Sequence, residues 1–228
     1  MRVPVIFVLV LSAAALSACG RPLTPAEKSF AAQLHGPSLD TSRVRFVRGA
    51  PVDSVSFRRD KRPRLACRER ILPEPETDIV TVAPAAVALY NRILFSRSYY
   101  LEDYLAGYPD QMGLLEAMIF AHELAHVWQW QNRATTGYSP WRAAREHGGG
   151  KDPYLFDIAT QSRFLDYSYE QQAGIVEEYV CCATLDPTAP RTGRLEVMIR
   201  DAMPLERLHV PDRIALPWDG VQIEGICS

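Results

Sequence analysis

Charge imbalance is missing from this chain: 25 lysines and arginines stand against 27 aspartates and glutamates, a net charge of −2 in 228 residues. A nucleic-acid binder would carry a clustered basic excess, so partners of that class are not expected. Internal repeats and low-complexity segments are absent too, which excludes solenoids and propellers. Five cysteines occur without one CxxC spacing, which weakens any reading of a cysteine-built zinc site. Histidine is scarce, five in all, yet two of the five sit in His122-Glu123-Leu124-Ala125-His126.

That pentapeptide is the chemical centre of the sequence. In a helix, residues four apart share one face, so both imidazoles can point at a single metal ion. Glu123 then lies within reach of a metal-bound water, the minimal apparatus of a zinc-dependent hydrolase. From Gly113 to Arg133 the apolar residues Leu114, Leu115, Met118, Ile119, Leu124 and Val127 recur at helical spacing with no proline among them. One long helix is therefore expected there, with Asp110 as its N-cap.

The N-terminus has a different character. Met1-Arg2 precedes an uncharged run from Val3 to Ala18, too short to span a bilayer and shaped like a signal peptide. It ends in Leu16-Ser17-Ala18-Cys19, which looks like a bacterial lipobox with Cys19 as the lipid-modified residue. Gly20, and not aspartate, follows; by analogy with other bacterial lipoproteins this favours the outer membrane, facing the periplasm. The acyl chains would anchor the protein and not make it span. Residues 1–18 are thus expected to be a leader and 19–228 one domain, with a C-terminal tail from about 187. Cys67, Cys181, Cys182 and Cys227 remain, an even number that suggests disulfides in an exported protein. Neighbours Cys181 and Cys182 seldom bond to each other, so each is expected to pair with Cys67 or Cys227.

Organisation along the chain is mixed. Thr24-Pro25-Ala26-Glu27 opens a short helix to about Leu34. Val44 to Val47, Ile79 to Ala83 and Val87 to Phe95 read as strands. Between them, Arg58 to Pro75 reads as an exposed connection or an irregular hairpin. Its basic residues Arg58, Arg59, Lys61, Arg62, Arg64, Arg68 and Arg70 suit a solvated loop or, alternatively, contact with anionic lipid or envelope polymer. A long loop is expected from Ala134 to Phe164, then helices from about Asp166 to Thr184 and from Leu195 to Ala202. Strands before the active helix and helices after it imply an α+β domain, with a small sheet packed on that helix.

A catalytic zinc site needs three protein ligands and an open position for water. A third histidine in the metzincin manner is excluded, because Gln129 and Asn132 stand where that pattern has glycine and histidine. A glutamate on a second helix becomes the leading option, and Glu170 is the choice, with Glu177 or Asp166 as substitutes. At 100° per residue Glu170, Gly174, Glu177 and Cys181 form one stripe. Gly174 is expected to let this helix approach the first closely, and Glu177 to accept a hydrogen bond from the outer nitrogen of a ligand histidine.

Together, His122-Glu123-Leu124-Ala125-His126-Val127-Trp128-Gln129, Phe164-Leu165-Asp166-Tyr167 and Glu170-Gln171-Gln172-Ala173 resemble a Vgr-related, gluzincin-like family of zinc metallopeptidases from proteobacteria. Gly20-Arg21-Pro22-Leu23-Thr24-Pro25 and Asp40-x-x-Arg43-Val44-Arg45 are similar to it as well. The resemblance covers most of residues 19–186. It implies a zincin-like fold, one zinc ion on His122, His126 and Glu170, and Glu123 as catalytic base. Many gluzincins carry an aspartate four residues after the ligand glutamate, where this chain has Gly174.

The resulting expectation is an envelope hydrolase acting on a peptide or protein substrate. Its oxyanion donor is sought among His147, Tyr154, Tyr167 and Tyr169. By analogy with zincins, the strand Asn91 to Phe95 is expected to be an edge that holds an extended peptide. Trp128 and Trp130 suit core or pocket wall. The alternative from another class is a non-catalytic zinc-binding lipoprotein acting in assembly or partner binding.

Overall fold

The computed structural model describes residues 20–50, 55–58, 63–77, 79–82, 84–146, 154–157 and 162–228. Its elements in chain order begin with helix α1 (Pro25–His35), strand β1 (Arg45–Arg48), strand β2 (Val55–Arg58), helix α2 (Cys67–Arg70) and strand β3 (Ile79–Val82). Strands β4 (Ala86–Leu89), β5 (Arg92–Phe95) and β6 (Gln111–Gly113) lead into helix α3 (Leu114–Gln131). Helices α4 (Arg133–Thr136), α5 (Pro140–Glu146), α6 (Tyr169–Leu185) and α7 (Pro190–Arg200) follow, and strand β7 (Arg213–Ala215) comes last. The architecture is α+β.

Helix α1 starts where the sequence places its cap. Thr24 Oγ1 accepts the Glu27 N–H at 3.1 Å and Glu27 Oε2 accepts the Thr24 N–H at 2.9 Å, a reciprocal box that satisfies two donors. Glu27 is fully buried, and its carboxylate also takes two bonds of 2.8 Å from the Arg21 guanidinium and one of 3.0 Å from the Tyr104 N–H. Phe30 and Leu34 face inward, and the helix carries one residue further than expected, to His35.

Strand order in the main sheet is β1-β5-β4, with β5 parallel to β1 and antiparallel to β4. The run Val87 to Phe95 is therefore a hairpin and not one strand. Its turn has Tyr90 at φ 59°, in the left-handed region, and the ring packs edge-on to Trp130 at 4.6 Å. Because β5 is paired on both sides, it is not the edge expected for peptide binding; among the described residues β1 and β4 are the outer strands of this sheet. The cause lies far away in sequence: β1 takes the open side of β5.

Helix α3 is apolar nearly all round and carries the core, with Leu114, Ala117, Met118, Phe120, Leu124, Val127 and Trp128 buried. It is capped by Gly113 and not by Asp110, since Gln111–Gly113 is drawn into a parallel pair with β7 from the C-terminal tail. The main partner of α3 is α6, whose Ile175, Val176, Tyr179 and Val180 are buried. Ser168 opens α6 with its own box: its Oγ accepts from the Gln171 N–H, and its N–H reaches Gln171 Oε1. No helix among the described residues is long and apolar enough to cross a membrane.

Two disulfides staple this pair to the rest. Cys67 joins Cys181, and Cys182 joins Cys227. Around them the arginine-rich segment joins two antiparallel strands, β2 and β3; its residues 72–75 are exposed as expected, but residues 67–71 pack into the fold. Cys67 and Ile71 are fully buried, and α2 sits on α6 with its Cys67 and Arg68 N–H groups on the buried Glu178 carboxylate at 2.9 and 3.3 Å. Arg191 Nε also donates to Glu178, and Arg70 donates to the Gly225 and Ile226 carbonyls. Arg64 donates to the Leu72 carbonyl and Arg68 to the Tyr154 carbonyl, so Arg64, Arg68 and Arg70 of the basic run bond within the fold. Arg59, Lys61 and Arg62 lie outside the described residues, as do the leader and Cys19.

Candidate metal centre

His122 and His126 occupy successive turns of α3, with ring centroids 5.1 Å apart and planes at 77°. Glu170 comes from the first turn of α6, and one of its oxygens, Oε2, lies 3.4 Å from Nε2 of each histidine. For bonds of about 2.05 Å, the ligand atoms of a tetrahedral zinc site are separated by about 3.3–3.4 Å, which matches both contacts. All three ligand atoms fall within 4.8 Å of one another, and the residues are 9%, 5% and 6% exposed. The cluster can hold a metal ion.

The surroundings favour a cation. On its outer side, Nδ1 of His122 lies 3.1 Å from Glu177 Oε2. A carboxylate only accepts, so Nδ1 carries the hydrogen, and Nε2 is the nitrogen that faces Glu170 and is placed to bind a metal. Burial would push His122 down, but the Glu170 and Glu177 carboxylates hold it up at about 10. Burial works to raise Glu177; the His122 hydrogen bond and Arg68, 3.7 Å away, outweigh it and keep the carboxyl below its ordinary range. Glu123 is also buried, and desolvation lifts it above the usual glutamate value against the pull of both histidines. Three carboxylates thus ring two imidazoles, with Arg68 offsetting one.

Comparison with known proteins adds a likeness and no family. No protein-family model matches the chain, and no curated protein matches it. Among solved structures, the effector domain of Pseudomonas aeruginosa VgrG2b is similar at 23% identity and a TM-score of 0.49. The match covers 87% of this chain and 96% of that one.

The other expected residues divide. Tyr154 lies beside His122, its ring centroid 5.8 Å away and under the Arg68 guanidinium. Tyr167 and Tyr169 donate their hydroxyls to the Asp157 and Gly137 carbonyls at 2.6 and 2.8 Å, which commits both phenols to backbone. His147 lies outside the described residues. Asp166 accepts the Arg163 N–H at the start of a short 3-10 turn and is not at the cluster. Gly174 does not face α3: a side chain there would meet Phe156 at 3.3 Å and the Tyr154 carbonyl at 3.8 Å. Small size at that position admits the 154–157 segment. Trp128 is core and bonds Ser38, while Trp130 is half-buried against Tyr90.

Two residues here had no mark in the sequence. Tyr138 is buried, 6.4 Å from the His126 ring, and burial together with Glu170 and Glu123 raises its phenol. Glu146, the last residue of α5, accepts the N–H groups of Tyr169 and Glu170 at 3.0 Å each. It thereby caps the very turn that presents Glu170. The segment 134–164, expected as a loop, carries α4 and α5 among its described residues because these docking contacts order it.

Proposed function

We propose that this chain is a zinc-dependent hydrolase of the bacterial cell envelope that cleaves peptide bonds in a peptide or protein substrate. The observation that carries the reading is the meeting of His122, His126 and Glu170 beside a buried Glu123. Three ligands leave one position open, and a site built only for structure has no use for a further buried carboxylate. A zinc ion bound there supplies an acidified water and polarises a carbonyl. Glu123 takes the proton of the attacking water and delivers it to the leaving amine. Its raised proton affinity suits both halves of that task. Tyr154 beside His122 and Tyr138 beside His126 keep their protons, because burial and the carboxylates disfavour phenolate. Both phenols are thus suited to donate to a developing oxyanion.

The envelope location rests on the leader and on Cys19 as a lipid anchor in the outer membrane, facing the periplasm. The two disulfides support an oxidising compartment. Labelled palmitate should enter the wild type and not Cys19→Ser.

Activity is tested by zinc analysis combined with digestion of a mixed peptide library. Wild type should hold one zinc and cleave; Glu123→Gln should hold zinc and not cleave; Glu170→Ala should lose zinc. Full zinc content in Glu170→Ala overturns the ligand set. Wild type that holds zinc without turnover favours the non-catalytic binding protein.

A further inference from the structure

The sequence Glu170-Gln171-Gln172 does more than present a ligand. Gln129 on α3 and Gln172 on α6 are 0% and 1% exposed, and their amides meet between the two helices. Gln172 Nε2 donates to the Tyr167 carbonyl at 2.8 Å. Gln129 Nε2 donates to the Tyr169 carbonyl at 2.9 Å and to Gln172 Oε1 at 3.0 Å. Backbone carbonyls only accept, so turning either amide over would set oxygen against oxygen in a buried place. Gln129 Oε1 is therefore fixed, and it lies 2.9 Å from Nδ1 of His126. That oxygen also only accepts, so Nδ1 must carry the hydrogen. Nε2 is then the nitrogen left facing Glu170 Oε2, 3.4 Å away, where a metal would bind.

We infer that Gln129 and Gln172 are positioning residues: a buried two-amide relay, anchored on the Tyr167 and Tyr169 carbonyls, locks His126 in the tautomer and ring orientation that a metal requires. The two ligand histidines are thereby held differently, His122 by the charged Glu177 and His126 by a neutral amide. An amide has a physical advantage here. Glu123, Glu170 and Glu177 already crowd the site, and another buried carboxylate would add repulsion that a dipole with the same direction avoids. Gln129 also explains itself at last: the residue that breaks the metzincin pattern supports the second histidine.

The inference rests on the zinc reading of the cluster, and the experiment separates the two. Zinc affinity is measured by chelator competition for wild type, Gln129→Met, Gln172→Met and the double variant, with metal-free melting curves confirming the fold. Gln129→Met should bind zinc about 10–100-fold more weakly. Gln172→Met should weaken it in the same direction. The double variant should match Gln129→Met within about twofold, because Gln172 acts through Gln129. In the zinc-loaded wild type, 15N spectra should show His126 protonated at Nδ1 and metal-bound at Nε2, a signature that loss of packing would not create. Wild type without zinc overturns the metal reading and the relay with it. Normal zinc affinity in Gln129→Met, additive losses in the double variant, or His126 bound through Nδ1 overturns the relay alone.

Discussion

Glu177 Oε2 lies 3.1 Å from Nδ1 of His122, on the side of the ring away from Glu170. That contact orients one imidazole and makes it more basic, as a metal ligand would need, since the carboxylate accepts the outer N–H and stabilises positive charge on the ring. Arg68 braces the carboxylate from behind.

Removing the acceptor should loosen the metal. Glu177→Leu is expected to weaken zinc binding by about 10–100-fold, and Glu177→Gln by less, because an amide oxygen still accepts. Chelator competition checks this. Equal affinity in Glu177→Leu and wild type would show that His122 needs no outer support.

A second contact acts on Glu170. Glu146 receives the N–H groups of Tyr169 and Glu170, two of the orphan donors at the start of α6. Glu146→Ala leaves both without that acceptor and should cost about 1–2 kcal/mol in urea unfolding. It should also speed zinc release, since the turn bearing Glu170 frays first. An unfolding midpoint unchanged from wild type would remove Glu146 from the cap.

What the sequence shows and hides here follows from range. His122, Glu123 and His126 are legible because four-residue spacing on one helix is a local fact. The Thr24 box is legible for the same reason. Gly174 is half legible: its angle on the helix follows from periodicity, but a wheel does not say which neighbour fills the space, and Phe156 does. The hairpin at Tyr90 and the interior place of β5 depend on β1, and the lost cap at Asp110 depends on β7. Glu146 has no periodic setting at all, and only its docking onto α6 reveals it.

The Cys67–Cys181 disulfide spans 114 residues and ties α2 to the middle of α6. A constraint on so long a loop stabilises chiefly by restricting the unfolded chain, with typical values of about 2–4 kcal/mol. The Cys67→Ser, Cys181→Ser pair should lose that amount while Cys182–Cys227 stays closed. Zinc affinity should fall with it, because Arg68 follows Cys67 in sequence and would no longer be held against Glu177. Denaturation and chelator competition on the same sample test both effects; a stability loss with unchanged affinity would confine the disulfide to folding.

The last expectation concerns acid. His35 is fully buried at the end of α1, stacked near Trp128 at 6.4 Å, and neither ring nitrogen has a hydrogen-bond partner among the described residues. Burial alone depresses it to about 3 from an ordinary value of 6.5. The folded protein therefore keeps His35 neutral, while the unfolded chain takes up a proton below pH 6.5. Stability is lost as pH falls through that window, by about 1.4 kcal/mol per pH unit until the folded value near 3 is reached. Between pH 7 and pH 5 this amounts to about 2 kcal/mol from one side chain. His35→Leu removes the proton uptake and should flatten the dependence by that amount, whatever its effect at pH 7. Urea titrations of both proteins at the two pH values measure the difference directly. Identical pH slopes would mean that the imidazole finds a partner or a proton in the folded state.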